Sequence, residues 1–135
     1  MQVKSIDHIH IYSANPATSI AFWERHLGAS KVMETKNSHD QAVLIYQVGT
    51  QGIAFSGYPP GVVPGNTQVD MALGRDGMSK GGVMHLGVNV DDVRAAVEEL
   101  EGAGARVHAA PEVAHGVTFA YVEVPDGVML ELTQY

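Results

Sequence analysis

Tyr121-Val-Glu-Val-Pro125-Asp-Gly-Val-Met-Leu-Glu131-Leu132 is the stretch on which the reading of this chain turns. Apolar residues alternate on both sides of a Pro-Asp-Gly turn, which predicts two antiparallel strands. The second strand carries a carboxylate, Glu131, at its centre between Leu130 and Leu132. A strand's period of two puts the leucines on one face and Glu131 on the other. A charge in the middle of an apolar strand calls for a partner.

The residues upstream suggest where that partner lies. Residues 83–90, Val-Met-His-Leu-Gly-Val-Asn-Val, predict a strand with Leu86, Val88 and Val90 toward the core and His85, Gly87 and Asn89 on the opposite face. Asp91-Asp92 then caps a helix whose Val93, Ala96, Val97 and Leu100 fall at helical spacing, and Gly102 and Gly104 stop it. Strands at 106–109, 117–124 and 128–133 complete the order β-α-β-β-β. The N-terminal half reads the same way. A strand over residues 3–12 sets Ile9 and Ile11 against His8, His10 and Tyr12. Asn15-Pro16 opens a helix carrying Ile20, Trp23 and Leu27, which Gly28 ends. Strands are expected at 30–35, 42–48 and 52–56. Between the halves, residues 58–82 are rich in glycine and proline and read as a linker, with room for a short regular segment at 69–73.

The repeat extends to residues. His8-Ile-His-Ile matches His85-Leu-Gly-Val, and Ile53-Ala-Phe-Ser-Gly-Tyr58 matches Leu130-Glu-Leu-Thr-Gln-Tyr135, so Ala54 stands where the other half has Glu131. The expected architecture is α+β. Residues 1–135 form one domain of two paired βαβββ modules, about 3–57 and 83–135, whose cupped mixed sheet carries helices on its convex side. On the concave side His8, His85 and Glu131 would converge from three strands. Two imidazoles and a carboxylate are a facial donor set for a divalent metal, with positions left open for catalysis. Taken singly, a strand histidine is more often a surface or hydrogen-bonded core residue, and a strand glutamate an exposed edge residue. Pattern alone balances these readings against a metal site.

Composition narrows the alternatives. There is no cysteine, which excludes disulfides, thiolate metal sites and a cysteine nucleophile. The net charge is −7 and the eight basic residues are scattered, so no basic stripe exists for a nucleic-acid backbone. No window approaches the roughly 18 apolar residues of a membrane span, and no secretory leader is evident. A soluble, cytoplasmic protein is expected, working on a small molecule without nucleic-acid or membrane partners.

Asp7-His8-Ile-His-Ile, His85-Leu-Gly-Val-Asn-Val-Asp-Asp-Val and Pro125-Asp-Gly-Val-Met-Leu-Glu131-Leu resemble the vicinal oxygen chelate superfamily over nearly the whole chain. That group includes glyoxalase I, bleomycin resistance proteins, methylmalonyl-CoA epimerase, fosfomycin resistance enzymes and type I extradiol dioxygenases. The resemblance implies the paired βαβββ cup, with metal ligands at His8, His85 and Glu131. It also implies a substrate chelated through vicinal oxygens, and a homodimer is expected. The chain departs from glyoxalase I and the epimerases at Ala54, where they supply a fourth ligand, Glu or Gln. Gln51 would fill that place only after a three-residue slip that inverts its strand face. A His-His-Glu set is similar to that of the extradiol dioxygenases, which favours Fe(II), with Mn(II), Zn or Ni as alternatives. Tyr121 lies where those enzymes carry an active-site tyrosine. It is expected to orient the substrate, against the simpler reading of a cross-strand aromatic pair. His10, two residues from His8 on the same face, is the candidate acid/base; the dioxygenases' usual position falls at 68–73, where no histidine occurs, which counts against ring cleavage, and His115 is a substitute at the cup mouth. His26, His39 and His108 read as helix-end, turn and surface residues. The expected activity is therefore a metal-dependent dioxygenase-like enzyme, with a glyoxalase-like lyase or isomerase as the near alternative. A metal-free binding protein of the bleomycin-resistance type is the alternative of another class, with Tyr12, Phe55, Tyr58, Met129 and Tyr135 to receive a flat organic ligand.

Overall fold

The structure is a computed structural model that describes residues 1–62 and 83–135; the short segment expected at 69–73 lies outside them. The described elements run β1 (His8–Ser13), α1 (Pro16–Leu27), β2 (Ser30–Lys36), β3 (Ala42–Val48), β4 (Gln51–Gly57), β5 (Leu86–Asn89), α2 (Val93–Gly102), β6 (Arg106–Ala114), β7 (Val117–Val124) and β8 (Val128–Gln134). They fall into two compact units, Met1–Gly65 and Asn66–Tyr135. Among the described residues each unit carries one four-stranded mixed sheet and one α-helix, and the fold class is α+β. Strand order is β1-β4-β3-β2 in the first sheet and β5-β8-β7-β6 in the second. In both, the first strand pairs in parallel with the last, and the rest is antiparallel. The sequence repeat is thus a repeat of topology.

Local chemistry accounts for the elements. Asn15 caps α1 by accepting from the Thr18 amide, Pro16 takes the first helical position, and Gly28 closes the helix in the left-handed conformation. Asp92 caps α2 with bonds from the Arg94 and Ala95 amides. Ile20 and Trp23 turn from α1 onto its sheet, where Trp23 and Tyr46 both meet Phe55 edge-on, with centroids 5.7 and 5.8 Å away. Val93, Val97 and Leu100 of α2 are buried, as are Ala120, Val122, Leu130 and Leu132 of its sheet. Each sheet therefore has a helix-packed face and a helix-free face, and the alternation within a strand decides what the second face displays.

Three boundaries differ from expectation by three residues or more. Strand β1 begins at His8 rather than residue 3, and residues 1–7 are exposed. Strand β5 begins at Leu86, which leaves His85 just ahead of the strand. Strand β6 runs to Ala114 instead of stopping near Ala109. Pro111 is tolerated within it because β6 is the edge of its sheet, where a residue without an amide proton breaks no ladder.

Two outcomes follow for stability. Phe55→Ala should lower the unfolding free energy by about 3–5 kcal/mol in a urea titration, since it empties the place where Trp23 and Tyr46 meet. The Tyr46 phenol is held above its ordinary value, first by burial and then by its hydrogen bond with Glu24. The folded state thus keeps a proton that the unfolded chain releases near pH 10, so stability falls as pH rises beyond that point. Denaturation midpoints of Tyr46→Phe should show a shallower alkaline decline than wild type.

Candidate functional site

The β7–β8 hairpin fixes the centre of the second unit's helix-free face. Its turn, Pro125–Gly127, closes tightly because Asp126 and Gly127 both take positive φ, 63° and 65°. That closure sets Tyr121 opposite Glu131 on one side, while the parallel pairing with β5 sets Gly87 opposite Glu131 on the other. Leu130 and Leu132 are buried against the helix side, so Glu131 projects onto the helix-free face.

Glu131 has two partners there. His85 Nε2 lies 3.0 Å from Oε2, and the Tyr121 hydroxyl donates to Oε1 at 2.9 Å. The His85 and Tyr121 rings meet edge-on at 5.4 Å. The phenol is pushed up to about 12, by burial first and then by its bond to Glu131 and the carboxylate's charge, so it remains a donor at neutral pH. Tyr121 also meets Phe119 edge-on at 6.1 Å. It belongs to an aromatic row, and its hydroxyl serves the carboxylate as well. His85 Nδ1 is buried without a hydrogen-bond partner among the described residues.

The first unit places His8, His10 and Tyr12 beside Gly52, Ala54 and Ser56. His8 Nδ1 is 2.7 Å from Asp7 Oδ2, an arrangement that orients the ring and leaves Nε2 for another ligand. Gly52 permits the close approach of β1: a Cβ there would lie 2.6 Å from the Asp7 carbonyl oxygen and 3.2 Å from His8 Cβ. His10 Nε2 bonds the buried Ser56 hydroxyl at 2.8 Å. Its ring stacks on Tyr12 at 4.7 Å, and Tyr12 on Tyr58 at 5.8 Å. Burial, then the neighbouring His8, holds the His10 imidazole below its ordinary value.

The two units can be read position by position. Where the second has Gly87, Glu131 and Tyr121 in one row, the first has His10, Ala54 and Ile45. Ala54 does occupy the carboxylate's place. Gln51 has the parity of Ile53 and Phe55, whose side chains pack toward the helix, and so does not supply a ligand in its stead.

The donor chemistry suits a divalent ion. Two donors at about 2.1 Å from a metal and cis to each other stand about 3 Å apart, and His85 Nε2 and Glu131 Oε2 have that separation. Among the described residues no group of three such side chains is gathered. The structure brings together His85, Glu131 and Tyr121; His8 and His10 stand in the first unit.

One histidine was misread from sequence. His108 is not a surface residue: its side chain is 4% exposed, with Nε2 2.6 Å from Glu123 Oε2. Val107 pairs with the buried Val122, so strand parity puts His108 on the face of Tyr121 and Glu123; the register shift between Val107 and Ala109 that accompanies its burial has no residue pattern to announce it. Glu123 was legible, since it shares the parity of Tyr121. His39 and His115 are exposed in turns, and His26 lies against Phe22 at 4.9 Å on α1.

A strand order repeated in two βαβββ units, with a His-Glu-Tyr cluster on a helix-free face, defines the class of protein. The chain belongs to the Glyoxalase/Bleomycin resistance protein/Dioxygenase superfamily, whose family model matches residues 5–132. Solved structures share the fold at low identity. A glyoxalase family protein from Bacillus cereus aligns with a TM-score of 0.77 at 15% identity, over 99% of this chain and 95% of that one. The fosfomycin resistance protein FosX from Listeria monocytogenes, solved with Mn(II) and sulfate, aligns at 0.68 and 10% identity, over 99% and 94%. TnmS3, an antibiotic binding protein from a Streptomyces species, aligns at 0.66 and 17%, over 99% and 98%. No curated protein matches in sequence. Among the described residues no helix is long and apolar enough to cross a membrane.

Two substitutions test how the site is held. Gly52→Ala should cost about 1–3 kcal/mol of unfolding free energy, because β1 must move away from β4 to admit the methyl group. Tyr121→Phe should cost about 1–2 kcal/mol by removing the donor to Glu131 Oε1. An unchanged denaturation midpoint in either variant would contradict the corresponding contact.

Proposed function

We propose that the protein is a divalent-metal enzyme acting on a small substrate with two vicinal oxygens, with His8, His85 and Glu131 as the protein ligands. The observation that carries this reading is the Glu131 carboxylate, set between an imidazole nitrogen at 3.0 Å and a phenol donor at 2.9 Å on a helix-free face. The metal ion bound by FosX supports the choice of a divalent cation. Such an ion would supply Lewis acidity toward the two oxygens and, as Fe(II), access to O2.

The chain's own residues have separable tasks. Glu131 brings the negative charge that offsets part of the cation's, and Tyr121 restrains its other oxygen. Asp7 fixes the His8 ring so that Nε2 faces outward. Tyr121, a donor at neutral pH, can turn to a substrate oxygen once Glu131 is engaged elsewhere. His10, held by Ser56, is the group placed to carry a proton. The absence of a donor at Ala54 and the helix-side parity of Gln51 favour a three-ligand, dioxygenase-like Fe(II) site over a four-ligand lyase or isomerase.

A second reading has its own observation. The exposed stack of His10, Tyr12 and Tyr58 offers flat rings to a planar molecule, as a metal-free binding protein would. Metal titration followed by calorimetry separates the two. Wild type should bind Fe(II) or Mn(II), while His85→Ala and Glu131→Gln lose binding. Asp7→Asn should weaken it by about 10–100-fold through the His8 ring. Oxygen uptake with catechol, beside a hemithioacetal isomerisation assay, then tests the lean to ring cleavage. Equal metal affinity in wild type and the ligand variants would remove the metal reading and leave the binder.

A further inference from the structure

The metal reading leaves one histidine–carboxylate pair on the same face without a task. Glu123 lies two residues from Tyr121 on β7 and shares its parity, and its cross-strand partner is Met129, next to Glu131 in the alternation of β8. Two strand residues advance about 7 Å, so Glu123 stands about that far along the face from Tyr121. The pair is oriented with care. Val107 pairs with the buried Val122 on the helix side, so alternation puts His108 on the face of Tyr121 and Glu123. The register shift between Val107 and Ala109 falls at His108, so Ala109 pairs with Tyr121 and the imidazole is left to engage Glu123.

The two members are not equally buried. The His108 side chain is 4% exposed and the Glu123 side chain 28%. The imidazole is thus sealed behind the carboxylate, and the carboxylate is the member that a ligand can reach. His108 engages Oε2, so Oε1 is the oxygen available to a donor. Arg106 stands across from Glu123 on β6 but is exposed, and the short contact is to His108. An oriented, half-buried carboxylate accepts hydrogen bonds from neutral or cationic donors and repels anions.

We propose that Glu123, oriented by His108, is a second anchoring group that selects a substrate bearing a hydroxyl or protonated amine about 7 Å from its vicinal oxygens. This rests on the chelation reading above for the vicinal-oxygen end only. It also predicts against substrates whose far end is a carboxylate, phosphate or phosphonate.

Three probes share one vicinal diol and differ at the far end: catechol, 4-(2-aminoethyl)catechol and 3,4-dihydroxyphenylacetate. Calorimetric titration of each into the full chain, with and without Mn(II), reads the selection. Wild type should prefer the amine over the carboxylate by about tenfold or more, as expected for a charge-assisted bond. Glu123→Gln should remove that preference while leaving metal affinity and catechol binding unchanged. His108→Gln should reduce the preference with metal affinity unchanged, the mark of a positioning residue. Glu123→Asp keeps the charge and should keep the sign of the preference, which provides a second test if Glu123→Gln does not fold. A Glu123-dependent amine preference that persists while Mn(II) has no effect would leave the anchor standing and remove the metal reading. No preference in either state, a preference that survives Glu123→Gln, or an equal loss for all three probes would overturn the anchor.

Discussion

The division of one carboxylate between two strands' partners governs this molecule. Glu131 can sit in an apolar strand because His85 takes one oxygen and Tyr121 the other. Both contacts depend on register. A shift of β8 by one residue would turn Glu131 into the helix side and a leucine out of it. The tight turn at Pro125–Gly127 and the parallel seam with β5 each prevent that shift, one from either edge of the strand. Buried leucines on the other face add a penalty for slipping that no single polar contact could supply.

Much of this was legible in the sequence because strand periodicity is a hard constraint. Leu130-Glu131-Leu132 assigns the faces of β8 by itself, and the match of the two halves places Ala54 at the position of Glu131, as the strand pairings confirm. Helix ends were equally plain, since Asn15-Pro16, Gly28 and Asp92 have chemistry that only a terminus uses well. What escaped was how deeply a side chain is covered. Alternation puts His108 on the face of Tyr121 and Glu123, but the register shift at that residue and its burial against Glu123 are invisible to the pattern. The extent of β1 and β5 also escaped, because strand ends are set by where a neighbouring strand stops pairing and not by the residues themselves.

The two units show how one framework supports different chemistry. Each presents a row of three side chains across its helix-free face, and the rows have opposite character. In the second the middle residue is charged and its parallel-strand neighbour is a glycine. In the first the middle residue is an alanine and its neighbour a histidine, held by Ser56 and stacked on Tyr12.

This exchange of large and small has a consequence for how such a protein can change. Ala54 is fully buried although its face carries no helix. His10 is its partner across the parallel seam with β1, held there by Ser56 and stacked on Tyr12. Substitutions at the two positions share a contact, so their effects on stability are coupled and should not add.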